Sequence, residues 1–332
     1  MNLVVLGSGA IGCWVGASWN TGVRAAGGNV TLIGRDATLE ALNNAPLRLS
    51  EQGAAERTED ALTLTTDPAA LAGADVIVLA MKSHALTAAM AQIEAHARAD
   101  AVLICLLNGI APVRDLRARF PDRKVVAGMV PFNVVWTAPT HLHRTGTGQI
   151  AVERHRVTEW LSKSGADIAL HDDLTPLQHG KLLLNLVNAV NALAGVPLYQ
   201  MLADRGYRRV FAASLAEALA VYDKGGIDWA QVGPNSPRMA YRMLRAPNWL
   251  FRWAVLRRQG LDRRSMTSMA ADVQAGRPTE IDTINGEITR LGALHGVPTP
   301  INQCLVDLIR AVEQGARPPA LSAEALQREV GL

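Results

Sequence analysis

A chain of 332 residues is long for one hydrophobic core and natural for two domains, and its 49% hydrophobic content is that of a globular rather than a disordered protein. The formal net charge of +3 is too small to imply nucleic-acid binding, and the three cysteines, Cys13, Cys105 and Cys304, lack the spacing of a disulfide framework or a zinc site. No apolar run approaches the roughly 20 residues of a membrane helix, and no basic leader precedes the first glycines. The expectation is therefore a soluble, cytoplasmic protein with reduced thiols and no metal, and with neither nucleic acid nor membrane as partner.

The first half alternates strand-like and helix-like text. Leu3–Leu6 and Asn29–Ile33 are β-rich. Val76–Ala80 and Val102–Leu107 are continuous apolar runs bounded by turn signals, as strands buried on both faces should be. Val125–Val130 and Gln149–Val152 read as further strands, and Leu86–Ala97 as a helix between two of them. This alternation predicts an α/β fold whose N-terminal part is a Rossmann-type doubly wound sheet.

Gly7-Ser8-Gly9-Ala10-Ile11-Gly12 directly follows the first strand and opens a helical stretch. In that setting GxGxxG reads as a dinucleotide loop. Gly7 permits the tight turn, Gly9 admits a pyrophosphate, and Gly12 lets helix and strand pack closely. The second strand ends at Gly34-Arg35, where an NAD enzyme usually carries an acid. A guanidinium there suits a 2′-phosphate, so the predicted cofactor is NADPH. Lys82 and the pair Asn108-Gly109 stand at the ends of the next two apolar strands, where open α/β sheets bind ligands.

Beyond Asp173 the text turns helical, which places the boundary between residues 1–173, expected to bind the dinucleotide, and 174–332, an expected all-helical, substrate-binding domain. Helices are predicted from about Pro176 to Ala194, Arg205 to Lys224, Arg264 to Ala275, Thr279 to His295 and Pro300 to Gln314, with the tail from Pro318 only partly ordered. On the first of these, Lys181, Asn185 and Asn188 fall on one face among apolar neighbours. Burying amides and an ammonium without partners costs several kcal/mol, so that stripe points to a polar ligand. Ser268 and Glu280 lie in a second polar stretch. Glu280, read alone, simply complements a helix dipole.

Taken together, GxGxxG, Lys82, Asn108-Gly109, Lys181 with Asn185, and the string Ser268…Asp272…Thr279-Glu280-Ile281-Asp282…Asn285-Gly286 resemble the ketopantoate reductase (2-dehydropantoate 2-reductase) family over nearly the whole chain. The resemblance implies NADPH-dependent reduction of 2-dehydropantoate to (R)-pantoate, a step of pantothenate biosynthesis, by a monomer or homodimer. It implies that Lys181 is the proton donor and that Glu280 supports substrate and cofactor. Asn108, Asn185 and Ser268 would contact the 2-keto acid, and Arg35 and Lys82 would serve NADPH. Two departures stand out. The family commonly carries a further asparagine four residues after Asn185, where this chain has Ala189, and Asn188 is assigned in its stead. The segment from Pro237 to Ser265 also looks long and, between Arg238 and Arg264, holds eight arginines and one aspartate. It reads as an added helical pair or a lid, with an anionic partner or membrane surface as the sharper alternative. A paralogous reductase of another 2-keto acid and a non-enzymatic NADPH-binding regulator are the competing readings.

Overall fold

Apolar runs with no polar face cannot sit at a surface, and in the first part of the chain they become central strands. The computed structural model describes every residue except Asp60, Pro234 and 257–262, and it divides into two compact units, Met1–Leu174 and Thr175–Leu332. In the first unit the elements are β1 (Asn2–Leu6), α1 (Ala10–Ala25), β2 (Asn29–Ile33), α2 (Asp36–Asn44), β3 (Leu47–Glu51), β4 (Arg57–Glu59), β5 (Thr63–Thr65), β6 (Val76–Leu79), α3 (Leu86–His96) and β7 (Val102–Cys105). There follow α4 (Ala111–Arg119), β8 (Val125–Met129), β9 (Asn133–Ala138), β10 (His141–Thr145), β11 (Ile150–Glu153), α5 (Arg156–Lys163) and β12 (Ile168–His171).

Eight strands form one sheet in the order β12-β11-β8-β7-β6-β1-β2-β5. Every pairing in it is parallel except β8 with β11. All positions of β6 and β7 are buried, which is why their sequence shows no alternation. The chain passes from β1 to β2 on one side and later returns to β6 on the other. The β1/β6 boundary is thus the switch point at which an open α/β sheet leaves a crevice. Two glycine positions enforce the geometry there. Gly7 has φ +119°, and a Cβ on it would lie 3.0 Å from the Ala80 backbone; a Cβ on Gly12 would sit 1.9 Å from the Gly7 carbonyl oxygen.

A second sheet, β4-β3-β10-β9, was not expected from the sequence. Its strands are short, and β10 pairs parallel with β3 across some ninety residues of chain. Leu47, Leu49, Val134 and Leu142 point inward and join Trp14, Val15 and Trp19 of α1 in one core.

The second unit is helical, with α6 (Thr175–Asn185), α7 (Val187–Ala194), α8 (Leu198–Ala203), α9 (Arg205–Gly225), α10 (Pro237–Leu244), α11 (Asn248–Phe251), α12 (Ser268–Gln274), α13 (Asn285–His295), α14 (Pro300–Glu313) and α15 (Ala323–Glu329). Four expectations need correction. The predicted helix from Pro176 to Ala194 is interrupted at Leu186, although that residue keeps helical angles, so two helices follow one another. The helix expected from Arg264 begins at Ser268, because the Thr267 hydroxyl accepts the Ala270 N–H (3.3 Å) and caps it. The helix expected from Thr279 begins at Asn285, since 280–284 is taken up by a bend and turns, with Gly286 N–H bonded to Ile281 O (3.0 Å). The tail beyond Pro318 is ordered: Leu321 N–H donates to Leu193 O (2.8 Å), Tyr207 Oη donates to Leu321 O (2.7 Å), and Ala323, Leu326 and Val330 are buried.

One fully buried cation organises a corner of this unit. Arg208, on α9, donates to the carbonyl oxygens of Leu244 (3.1 Å), Leu202 (2.8 Å) and Ala246 (2.8 Å) and to Asn248 Oδ1 (3.0 Å). Its guanidinium also lies over the Phe251 ring, 4.3 Å from the centroid. Four neutral acceptors take the place of a carboxylate, and burial lowers its pKa to about 10. A planar fork fits this set and a lysine ammonium does not. Arg208→Lys is expected to cost roughly 2–4 kcal/mol in urea unfolding; a loss within error of zero would show that the clamp contributes little.

Candidate active site

The glycine loop, Arg35, Lys82 and Asn108 come from the carboxyl ends of β1, β2, β6 and β7, which are neighbours in the sheet in the order β7-β6-β1-β2. The sequence placed each at a strand end; the sheet order makes them one row. The loop is held shut by Gly7 N–H to Ile33 O (3.0 Å) and by Arg35 N–H to Ser8 Oγ (3.1 Å). Ser8 is thereby buried and tied to the β2 end, where Arg35 caps α2 with an exposed side chain. Among the described residues no carboxylate pairs with the Arg35 guanidinium.

These residues fit a dinucleotide. Gly9 is exposed, and a Cβ there would meet only the Ala80 carbonyl at 3.9 Å, so the backbone is open to close approach. The first turn of α1, which includes Ala10 and Ile11, has no side-chain cap, leaving N–H groups and the positive dipole end for phosphate oxygens. Cys13, one residue further on, is buried, and burial pushes its thiol up to about 12, which excludes it as a nucleophile at neutral pH.

In the second unit the polar stripe survives the helix break. Lys181 and Asn185 are half-buried on α6, and Asn188 on α7 is buried. Gly180 lets the segment around Ala230 press against α6: a Cβ there would fall 1.9 Å from Ala230 O, and Ala230 N–H donates to Pro176 O (2.8 Å). The ring of His179 packs edge-on against Tyr222 of α9, centroids 4.9 Å apart. Burial lowers the Lys181 pKa to about 8, against an opposing pull from the negative charge of Glu280. These two residues are therefore electrostatic neighbours, although 98 positions of sequence divide them. Glu280 itself is buried, in the turn before α13 rather than in its first turn, so the simple dipole explanation for it falls away.

Sequence reasoning missed what holds this stripe in place. Asn191 donates to Val196 O (2.8 Å) and accepts the Thr267 N–H (3.0 Å), pinning the start of α12 to α7. Ser268, exposed in the first turn of α12, is set beside the asparagine helix by that pin. Glu313 accepts the Thr279 N–H (2.7 Å), and Asp272 pairs with Arg277 (3.1 Å), fixing the loop that delivers Glu280. The Thr267 partner of Asn191 is remote in sequence and no local pattern announces it. Among the described residues no group of side chains is arranged to hold a metal ion, and no helix is long and apolar enough to cross a membrane.

Residues 3–156 match the family described as ketopantoate reductase PanE/ApbA, and residues 173–313 match its C-terminal counterpart. The chain belongs to the ketopantoate reductase family. A 2-dehydropantoate 2-reductase of Mesorhizobium japonicum is 28% identical over 95% of this chain and 99% of its own length. One of Halobacterium salinarum is 24% identical over 95% and 99%. Among solved structures, a PanE/ApbA family ketopantoate reductase from Ralstonia eutropha superposes with TM-score 0.79 at 25% identity, covering 95% of this chain and 99% of that one. D-mandelate dehydrogenase, solved with NADH and anilino(oxo)acetate, shares the fold with TM-score 0.76 at 21% identity, over 95% and 99%. The protein is accordingly an oxidoreductase of the ketopantoate reductase class, with an N-terminal nucleotide-binding sheet and a helical C-terminal unit.

The lowered pKa is directly testable. NMR titration of Lys181 should give a midpoint near 8. Glu280→Gln removes the charge that favours the ammonium, so its midpoint should move lower. A midpoint at the ordinary lysine value, or an upward move in Glu280→Gln, would refute the burial described above.

Proposed function

We propose that the protein reduces 2-dehydropantoate to (R)-pantoate with NADPH, residues 1–173 binding the cofactor and 174–332 the substrate. The observation that carries the reading is the pairing of a desolvated Lys181 with a buried Glu280 in a chain of this family. A regulator that only bound the nucleotide would need neither. NADPH fits the glycine loop by the open Gly9 backbone and fits the β2 end by the unpaired, exposed Arg35, whose guanidinium can take a 2′-phosphate bidentately. When bound, the cofactor supplies a hydride for the C2 ketone.

The remaining chemistry belongs to side chains. Lys181, with a pKa near 8, is an ammonium at neutral pH, yet it gives up its proton far more readily than an ordinary lysine. It stabilises the developing alkoxide at the keto oxygen and protonates it. Glu280 keeps that ammonium charged and supports substrate and cofactor. Asn185, Asn188 and Ser268 orient the carboxylate and the distal hydroxyl of the substrate, Asn108 contacts substrate and cofactor, and Lys82 meets a phosphate. As pH rises through about 8 the ammonium is lost, so turnover should fall on the alkaline side.

A second reading has an observation in its favour. Ala189, where the family commonly carries an asparagine, is fully buried and presents no polar group. The amide that could read the hydroxymethyl arm is missing there, so a 2-keto acid without that arm is the competing substrate. The D-mandelate dehydrogenase likeness shows that the same fold serves another 2-hydroxy acid in that protein.

NADPH oxidation against a panel of 2-keto acids separates the two. Ketopantoate should be preferred on the first reading and an acid without the hydroxymethyl arm on the second, with Lys181→Ala lowering kcat by roughly 10²–10⁴-fold in either case. Turnover in Lys181→Ala equal to the unaltered enzyme would remove the lysine as acid. Arg35→Ala should raise the KM for NADPH far more than that for NADH; equal effects on both would reject the 2′-phosphate contact.

A further inference from the structure

None of the residues assigned to the site above lies in the arginine-rich stretch, and its described portion has a definite form. Residues 236–253 contain neither aspartate nor glutamate. They fold as α10, a corner, and α11 with a π-helical turn after it, and the Arg208 clamp fixes that corner from beneath through Leu244, Ala246 and Asn248. Leu244 and Phe251 are buried on the inner side. The outer side shows Arg242, Arg245 and Arg252, all exposed, and among the described residues none of them is in an ion pair. Beside them stand Trp249 at 72% exposure, Trp253 at 56% and Met239 at 46%. The part of the stretch at residues 257–262 lies outside the described residues.

Large exposed indoles on an anchored corner are uncommon on a monomer that meets only small molecules. We infer that this corner is a docking surface for an anionic lipid headgroup layer, held by the three guanidiniums and by shallow burial of Trp249. Charge complementarity selects the occupant. A two-fold contact with a second copy would set the same three cations against themselves. A polyanion recognised by arginine alone would not call for an indole and a methionine at the rim, whereas the headgroup boundary takes Trp and Arg together. The expectation of no membrane partner rested on the lack of an apolar run long enough to span a bilayer, and surface attachment needs no such run.

Co-sedimentation of the full chain with vesicles tests this. Vesicles of equal parts phosphatidylglycerol and phosphatidylcholine should bind the protein, pure phosphatidylcholine should not, and high salt should release it. The triple variant R242Q/R245Q/R252Q should bind roughly 100-fold more weakly, and Trp249→Ala roughly tenfold more weakly, with bromolipid quenching of tryptophan fluorescence reduced. Keto-acid reduction by these variants in the absence of vesicles should be unchanged, which shows that they are folded. Equal partition onto both vesicle types, or no effect of Trp249→Ala, would overturn the proposal. So would binding to a DNA duplex without binding to vesicles, or a concentration-dependent dimer that the triple variant abolishes.

Discussion

An ammonium placed among leucines is the constraint on which the helical unit turns. Lys181 has buried Leu182 and Leu183 for neighbours, and burial lowers its pKa to about 8. The charge of Glu280, itself buried, counters that tendency. The two groups favour each other's charged forms. The turn before α13 must therefore be delivered to α6 accurately. Glu313 on Thr279, Asp272 on Arg277 and Asn191 on Thr267 hold the loop and α12 in place for it, each through a backbone N–H or a guanidinium.

Much of the first unit could be read before any coordinates. Continuous apolar runs give buried parallel strands because strands covered on both faces have no polar side to show. Glycines 7, 9 and 12 give the loop because their spacing answers to steric contacts within a few residues of chain. The second sheet escaped because its information is not local. Leu47–Glu51 and His141–Thr145 are five-residue stretches of mixed polarity that become strands only beside each other. Helix starts were misread for a similar reason. Thr267 caps α12, but it sits in a run of Ser, Thr and Met where several positions look like caps. Around Glu280 the periodic isoleucines suggested a helix begun early; Ile281 and Ile284 are buried as expected, but in turns.

The stripe itself was legible as chemistry before it was legible as geometry. Asparagine is a poor helix former, so repeated asparagines beside a lysine in an apolar helix asked for a reason. The helix break at Leu186 could not be foreseen, because that residue keeps helical angles and nothing in its side chain interrupts a helix. Net charge was similarly misleading. A total of +3 describes a nearly balanced chain, yet the α10–α11 corner is basic throughout, and an average over 332 residues hides it.

The ordered tail bears on how the protein is made. Leu321 closes a backbone bond onto Leu193 and receives the Tyr207 hydroxyl, while α15 lies along α9. During synthesis, residues 1–174 form a compact unit with its own internal contacts, and can fold while translation continues. Helix α7, with Asn188 upon it, has to wait for residues 321–330 before its far end is covered. The nascent enzyme therefore passes through a stage with a finished nucleotide fold and an unfinished asparagine helix, and that stage is where chaperone capture and proteolytic clipping would find it.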